Sequence, residues 1–357
     1  MLNFAVGPVM IEREILKIGS EQIPYFRTDE FSSLLLENQE LLLDLVGAPL
    51  FSRVIFLTGS GTAAMEAAVL NTLTDKDKVL VVNGGTFGKR FKEICDVYQL
   101  ESEELRLNHF EPLTEKHLEP FDSQGFTALL VNVHETSTGV LYDMNLIKRF
   151  CEKNGLFLIV DAISSFLADP YDMADYGVNV TILSSQKALA LPPGMSYVVV
   201  DQEAQARIMD KKVNSLYFKF QDYLRDGIRG QTPYTPAVSN LIQLNRRLKM
   251  IESRGLSNVI KDVALMATDF RCKIADLPLK VATTSPSNAL TAVIPTCNID
   301  AYNIFTFLKD EYGIFVVPSG GELRSKMFRV GHIGAISLED NLTLVEALRA
   351  MSLKGLL

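Results

Sequence analysis

Tryptophan is absent from this chain of 357 residues, and cysteine and histidine number only four each. The cysteines (Cys95, Cys151, Cys272, Cys297) are scattered, and no pair has the spacing of a zinc site or a redox dithiol. With only His109, His117, His134 and His332 to help them, no metal site is expected, and four free thiols in a reducing cytoplasm is the simple reading. No apolar run approaches the roughly 18 residues that cross a bilayer. The start, Met1-Leu2-Asn3-Phe4-Ala5, lacks a basic segment leading into an apolar one, so no secretory signal and a cytoplasmic location are expected. Basic residues are outnumbered 43 to 35 and form no stripe, which argues against a nucleic-acid partner. Low-complexity segments and internal repeats are also missing.

What is present is alternation. From about residue 53 to 200, short apolar runs alternate with amphipathic ones. Strand candidates are Val54–Leu57, Val79–Val82, Ala128–Val133, Leu156–Val160, Val180–Leu183 and Tyr197–Val200, with helices such as Ala63–Leu73 and Met144–Lys153 between them. Strands apolar on both faces predict a mostly parallel sheet covered by helices. After about Thr235 the pattern changes to long helices (Val238–Ser253, Asn258–Ala275), short strands (Ala289–Ile294, Ile314–Val317, Met327–Val330) and two more helices (Asp300–Tyr312, Leu338–Met351). The expectation is an α/β protein with a large domain over 15–240 and a smaller α+β domain over 241–357, against which residues 1–14 pack. The Pro/Gly/Thr-bearing stretch Gly227–Pro236 is too long for a tight turn and reads as a functional loop.

Five motifs fall at the C-terminal ends of these strands, where open α/β sheets bind ligands. Thr58-Gly59-Ser60-Gly61-Thr62 runs from a strand into a helix. Glycine permits close approach of an anion, and the helix start offers free N–H groups and a positive dipole end. It is neither a Walker loop nor a full dinucleotide fingerprint. A plain capped turn explains it equally well. Asn83-Gly84-Gly85-Thr86-Phe87 supplies an aromatic ring that could lie against a cofactor or simply fill a core. His134-Glu135-Thr136-Ser137-Thr138-Gly139 places polar side chains at the end of a buried strand. Asp161 and Lys187 end two further strands. An amine and a carboxylate so placed suit pyridoxal 5′-phosphate (PLP), which needs a Schiff-base lysine and an acid opposite its ring nitrogen. An ordinary ion pair at the sheet edge is the alternative.

Together these residues resemble the class V aminotransferases of PLP fold type I, in the alanine–glyoxylate, serine–pyruvate and 2-aminoethylphosphonate–pyruvate branch. Most of the chain takes part, with Gly7-Pro8-Val9, Val160-Asp161-Ala162-Ile163-Ser164-Ser165, Ser184-Ser185-Gln186-Lys187 followed by Pro192-Pro193-Gly194, and Phe328-Arg329-Val330-Gly331 beside the motifs above. The resemblance implies a seven-stranded large domain. It makes Lys187 the Schiff-base lysine, Asp161 the pyridinium partner, Ser60, Gly61, Thr62 and Gln186 phosphate contacts, and Thr136 a ring-oxygen contact. Phe87 stands where the family often has tryptophan. Thr235 matches a threonine that reaches the neighbouring subunit's phosphate, implying a homodimer with shared sites. Arg329 matches the arginine that clamps the substrate carboxylate, a role suited to its planar fork. Relatives often carry a His-Arg pair where this chain has Phe26-Arg27, so the role of Arg27 stays open.

The implied activity moves an amino group from a small amino acid or amine to a 2-oxo acid such as pyruvate or glyoxylate, by a ping-pong mechanism. A 2-aminoethylphosphonate–pyruvate transaminase is an alternative, for which Arg27 and Arg90 are the candidate phosphonate ligands. A lyase or a cysteine desulfurase on the same fold is another; the latter requires a loop cysteine. Outside this class stands a nicotinamide-dependent dehydrogenase, with Asp75 or Asp77 placed to hold a ribose. A binding or regulatory protein built on the same fold is the remaining alternative.

Overall fold

The computed structural model describes residues 1–296 and 298–357; Cys297, one of the four cysteines above, lies outside them. A seven-stranded sheet carries the large part of the chain. Its order is Arg53–Thr58, Met195–Val200, Val180–Ser184, Phe157–Asp161, Ala128–Asn132, Lys78–Asn83, Glu101–Arg106. Met195–Val200 runs antiparallel to both neighbours, and the other pairs are parallel. The C-terminal ends of the remaining six strands therefore share one edge.

Six of the strands were legible as apolar runs. The seventh, Glu101–Arg106, reads Glu-Ser-Glu-Glu-Leu-Arg, and only Leu105 is buried. It is an edge strand, which needs one paired side and tolerates a charged exterior.

Alternation along the strands divides the core in two. Leu80, Val82, Leu129 and Val131 face helices Asp29–Leu45, Met144–Asn154 and Val238–Arg254; Val79, Val81, Ala128 and Leu130 face Gly61–Thr72, Thr86–Val97, Gln202–Asp210 and Phe220–Gly227. The helix Val238–Arg254 runs through the expected 240/241 junction, and its Leu241, Leu244 and Leu248 are buried in the large-sheet core.

A second, four-stranded antiparallel sheet (Leu279–Val281, Leu290–Pro295, Phe328–Gly331, Val317–Pro318) packs with helices Leu256–Lys273, Ala301–Tyr312 and Leu338–Leu353. The single strand expected over Ile314–Val317 is split at Val316. Its first half pairs in parallel with Leu2–Asn3 and its second with Phe328–Arg329. Phe4 is fully buried in this smaller core, so the N-terminal segment is held here.

Candidate active site

Sheet register sets the two ionisable groups side by side. Asn132 pairs with Asp161, and Asp161 pairs with Ile182, so Asp161 ends its strand beside the one that leads through Ser184 to Lys187. Asp161 is buried and accepts one hydrogen bond, from the Ile163 N–H at 2.8 Å. Burial pushes its carboxyl up to about 7, with Glu135 adding to the rise while Lys187 and Arg90 oppose it. Lys187 is lowered to about 8, first by burial and further by the Arg329 charge, against the pull of Asp161. Two groups whose environments drive them toward neutral pH at one sheet edge mark a functional site.

The N-terminal segment closes over the lysine. A Cβ on Gly7 would stand 2.7 Å from Lys187 Cδ and 2.9 Å from Nζ and so would displace the end of the lysine, and the φ of +152° is one that favours glycine. The Val9 N–H then donates to the Gln186 carbonyl at 3.3 Å.

The expected anion cradle forms at the start of helix Gly61–Thr72. Ser60 caps it by accepting from the Ala63 N–H at 3.3 Å. A Cβ on Gly61 would meet Ile163 Cδ1 at 2.5 Å, so glycine lets this helix start press against the Asp161 loop. Arg90 donates to Thr62 Oγ1 at 3.1 Å and lies 5.1 Å from the Phe87 ring centroid, placing a cation at the cradle. Ser184 Oγ donates to Gln186 Oε1 at 2.6 Å, which leaves the amide nitrogen as a donor. Helix start, hydroxyls, amide and guanidinium together fit a phosphate group.

On the other flank, Thr136 Oγ1 donates to Ser164 Oγ at 2.7 Å, and that oxygen lies 3.0 Å from His134 Nδ1. Burial holds His134 down at about 3, helped by the charges of Lys187 and Arg329, so its ring is neutral; its Nε2 is buried without a partner. Arg329 donates to the Thr136 carbonyl at 3.0 Å and to the Pro318 carbonyl at 3.1 Å. Its Nε is buried and unpartnered. Buried donors of this kind call for a ligand, and a guanidinium with an unused N–H is ready for a carboxylate.

The structure therefore brings Ser60, Gly61, Thr62, Phe87, Thr136, Asp161, Gln186, Lys187 and Arg329 to one edge. Thr235 is exposed, in the loop beyond Gln231 and Thr232. Arg27 donates to Gln231 Oε1 at 2.9 Å and to the Thr232 carbonyl at 2.8 Å, so it braces that loop. As individual residues, Gly7, His134, Glu135 and Ser164 escaped the sequence reading. Their signal was position: each lies within a few residues of a strand end or a motif already singled out.

Two alternatives find no support among the described residues. Asp77 precedes its strand, at the sheet edge opposite the Gly59–Gly61 turn, and is occupied by Thr74, Thr127 and Arg207. Asp75 precedes the same strand, so neither can hold a ribose at that turn. Cys95 and Cys151 are buried with thiols pushed up to about 12, and Cys272 lies on helix Leu256–Lys273, so none of these is a loop nucleophile. Among the described residues, no group of three or more His, Cys, Asp or Glu side chains could hold a metal ion, and no helix is long and apolar enough to cross a membrane.

Comparison with known proteins agrees with this geometry. The model of the family described as aminotransferase class-V, which is PLP-dependent, matches residues 25–336. The chain is 31% identical to the small subunit of a soluble hydrogenase from Synechococcus sp., over 97% of this chain and 91% of that one. It is 28% identical to serine–glyoxylate aminotransferase of Arabidopsis thaliana, over 94% and 86% of the two chains. Among solved structures, an aspartate aminotransferase of subgroup IV from Thermus thermophilus superposes with a TM-score of 0.92 at 26% identity, each chain covered in full. With its sheet order, its strand-end lysine and aspartate and a family match over most of its length, the chain belongs to the class V aminotransferases of PLP fold type I.

Proposed function

We propose that this protein binds PLP and transfers an amino group from a small amino acid to a 2-oxo acid such as pyruvate or glyoxylate, donor and acceptor taking turns in one site. The observation that carries this reading is Arg329, half-buried, with a buried Nε that has no partner and a charge that acts on Lys187. That arrangement suits a substrate carboxylate held next to the amine.

Lys187 would anchor the cofactor through its amine, Asp161 would pair with the ring nitrogen, and Thr136 would meet the ring oxygen. Ser60, Gly61, Thr62 and Gln186 would hold the phosphate, with Arg90 adding charge. When bound, PLP supplies an electron sink for negative charge at the donor α-carbon. Asp161 holds the proton on the ring nitrogen that this sink requires. Lys187 Nζ, lowered to about 8, moves the proton at the α-carbon at near-neutral pH. Arg329 fixes the carboxylate and so orients the bond to be broken. Gly7 and the following residues keep water from Lys187. Exposed Thr235 supports a homodimer in which this loop completes the partner's phosphate site; a monomer by sedimentation at assay concentration would contradict that.

A carboxylic amino acid is favoured over 2-aminoethylphosphonate because neither candidate phosphonate ligand is spare: Arg27 is tied to the Gln231–Pro233 loop, and Arg90 sits at the cradle assigned to the cofactor phosphate. The test is the absorbance of the PLP-loaded protein between about 300 and 500 nm. L-alanine, L-serine and 2-aminoethylphosphonate are added singly. A long-wavelength band that moves to shorter wavelength with one amino acid supports the reading, and a protein that stays colourless in PLP removes it.

A further inference from the structure

The helix that carries Phe87, Thr86–Val97, begins without a cap of its own. Its N-cap residue is Gly85, which has no side chain to accept from the first turn. Yet none of the first three N–H groups is left open. Phe87 N–H and Gly88 N–H donate to Glu135 Oε2 at 3.2 and 3.1 Å, and Thr86 N–H donates to Ser137 Oγ at 3.0 Å. Ser137 Oγ in turn donates to Glu135 Oε1 at 2.5 Å, the Ser137 N–H donates to the same oxygen at 3.1 Å, and Asn132 Nδ2 donates to Oε2 at 3.2 Å.

Glu135 is fully buried, and its carboxylate accepts both from its own loop and from a helix start 47 and 48 positions away. Glycine makes room for it: a Cβ on Gly85 would stand 2.7 Å from Glu135 Cδ and 2.3 Å from Ser137 Oγ. Gly88 is fixed from the other side, where a Cβ would lie 2.5 Å from the Val82 carbonyl oxygen. The carboxylate sits at the positive end of the helix, where a negative charge is stabilised and its hydrogen bonds are charge-assisted. It is also near enough to Asp161 and Arg329 for its charge to act on both.

We propose that Glu135 is a positioning residue: by capping, from the loop after the neighbouring strand, the helix on which Phe87 sits, it fixes the Phe87 ring against the cofactor. The inference rests on the PLP reading above and concerns a residue that need not touch the cofactor itself. A purely structural cap would predict the same loss of thermal stability on mutation. The role proposed here additionally predicts that the loss is felt at the cofactor and runs through Phe87.

The test uses full-length wild type, Glu135→Gln, Phe87→Leu and the double variant, each titrated with PLP. The readouts are the dissociation constant and the visible circular dichroism, which reports a ring held in one orientation. Glu135→Gln keeps the shape but removes the charge and turns one acceptor toward N–H groups as a donor. It should weaken PLP binding roughly tenfold, as expected for disturbed charge-assisted hydrogen bonds, and diminish the visible dichroism. In the Phe87→Leu background the same change should cost little, because the ring it positions is gone. Glu135→Asp, which keeps the charge, should recover part of the loss. Should the Gln variant fold poorly, Ser137→Ala, which severs the Thr86 link and one donor to Glu135, should move both readouts in the same direction by less. Wild-type affinity and dichroism in Glu135→Gln, or additive losses in the double variant, would overturn the proposal while leaving the PLP reading intact. A wild type that does not bind PLP would remove both.

Discussion

Replacing Gly7 by alanine tests whether the N-terminal segment sets the position of the Lys187 amine. The new Cβ would lie 2.7 Å from Lys187 Cδ and 2.9 Å from both Cε and Nζ, where ordinary contact begins at 3.4 Å. The lysine must therefore retreat by about 0.5–0.7 Å, or the segment must lift away. The φ of +152° adds backbone strain for any L-residue, of order 1–3 kcal/mol. Because the strain falls at a segment end, the bulk fold should survive with a modest fall in Tm. The chemical step should not escape so lightly: a misplacement of about 1 Å in a reacting group can cost on the order of a hundredfold, so a shift of roughly half that should slow it about tenfold. The assay is single-turnover half-transamination of the PLP-loaded protein, followed by absorbance, with Tm measured on the same sample. A rate within twofold of wild type would refute the reasoning, because it would mean that Lys187 is free to move out of the contact without consequence.

Other consequences follow from single groups. Arg329→Lys keeps a charge but loses the fork, and one ammonium cannot serve the Thr136 and Pro318 carbonyls and a carboxylate together. KM for the amino donor should rise at least tenfold, with a smaller change in kcat; an unchanged KM would remove Arg329 from the carboxylate site. Asp161 governs a pH effect in the cofactor-free protein. Its folded value of about 7 lies above its unfolded value near 3.8, so the native state binds more protons between those limits and stability falls as pH rises from about 4 to 7. The effect amounts to at most about 4 kcal/mol. Lys187 acts in the opposite sense: its folded value of about 8 lies below the usual 10.5, so stability recovers as pH rises from 8 toward 10.5. Asp161→Asn should flatten the lower limb in urea melts at pH 5 and 7, and a variant with the wild-type slope would contradict the assignment.

The sequence made six of the seven large-sheet strands legible because they are buried on both faces, which leaves no polar interruption in Val79–Val82 or Ala128–Val131. Glu101–Arg106 was invisible for the converse reason: an edge strand with one buried side chain has no apolar signature. At the site, Lys187 and Asp161 stood out because ionisable groups are unexpected at the ends of buried strands, whereas the roles of Thr62 and Arg329 were reached through the family resemblance. Residues that act by shape or through others did not stand out. Gly7 matters only because the chain returns from the small-sheet side to lie on Lys187, a contact spanning the whole large domain. Glu135 was visible as part of a polar motif, but its partners Phe87 and Gly88 are 48 and 47 positions away, beyond any local pattern.

The account rests on Lys187 as the residue that carries the cofactor. Incubating the protein with PLP, reducing with borohydride, digesting and weighing the peptides tests this directly. The account predicts a phosphopyridoxyl adduct on the peptide containing Lys187, absent from Lys187→Ala, whose fold and residual PLP binding persist while transamination is lost. An adduct confined to another lysine, or substantial transamination by Lys187→Ala, would contradict it.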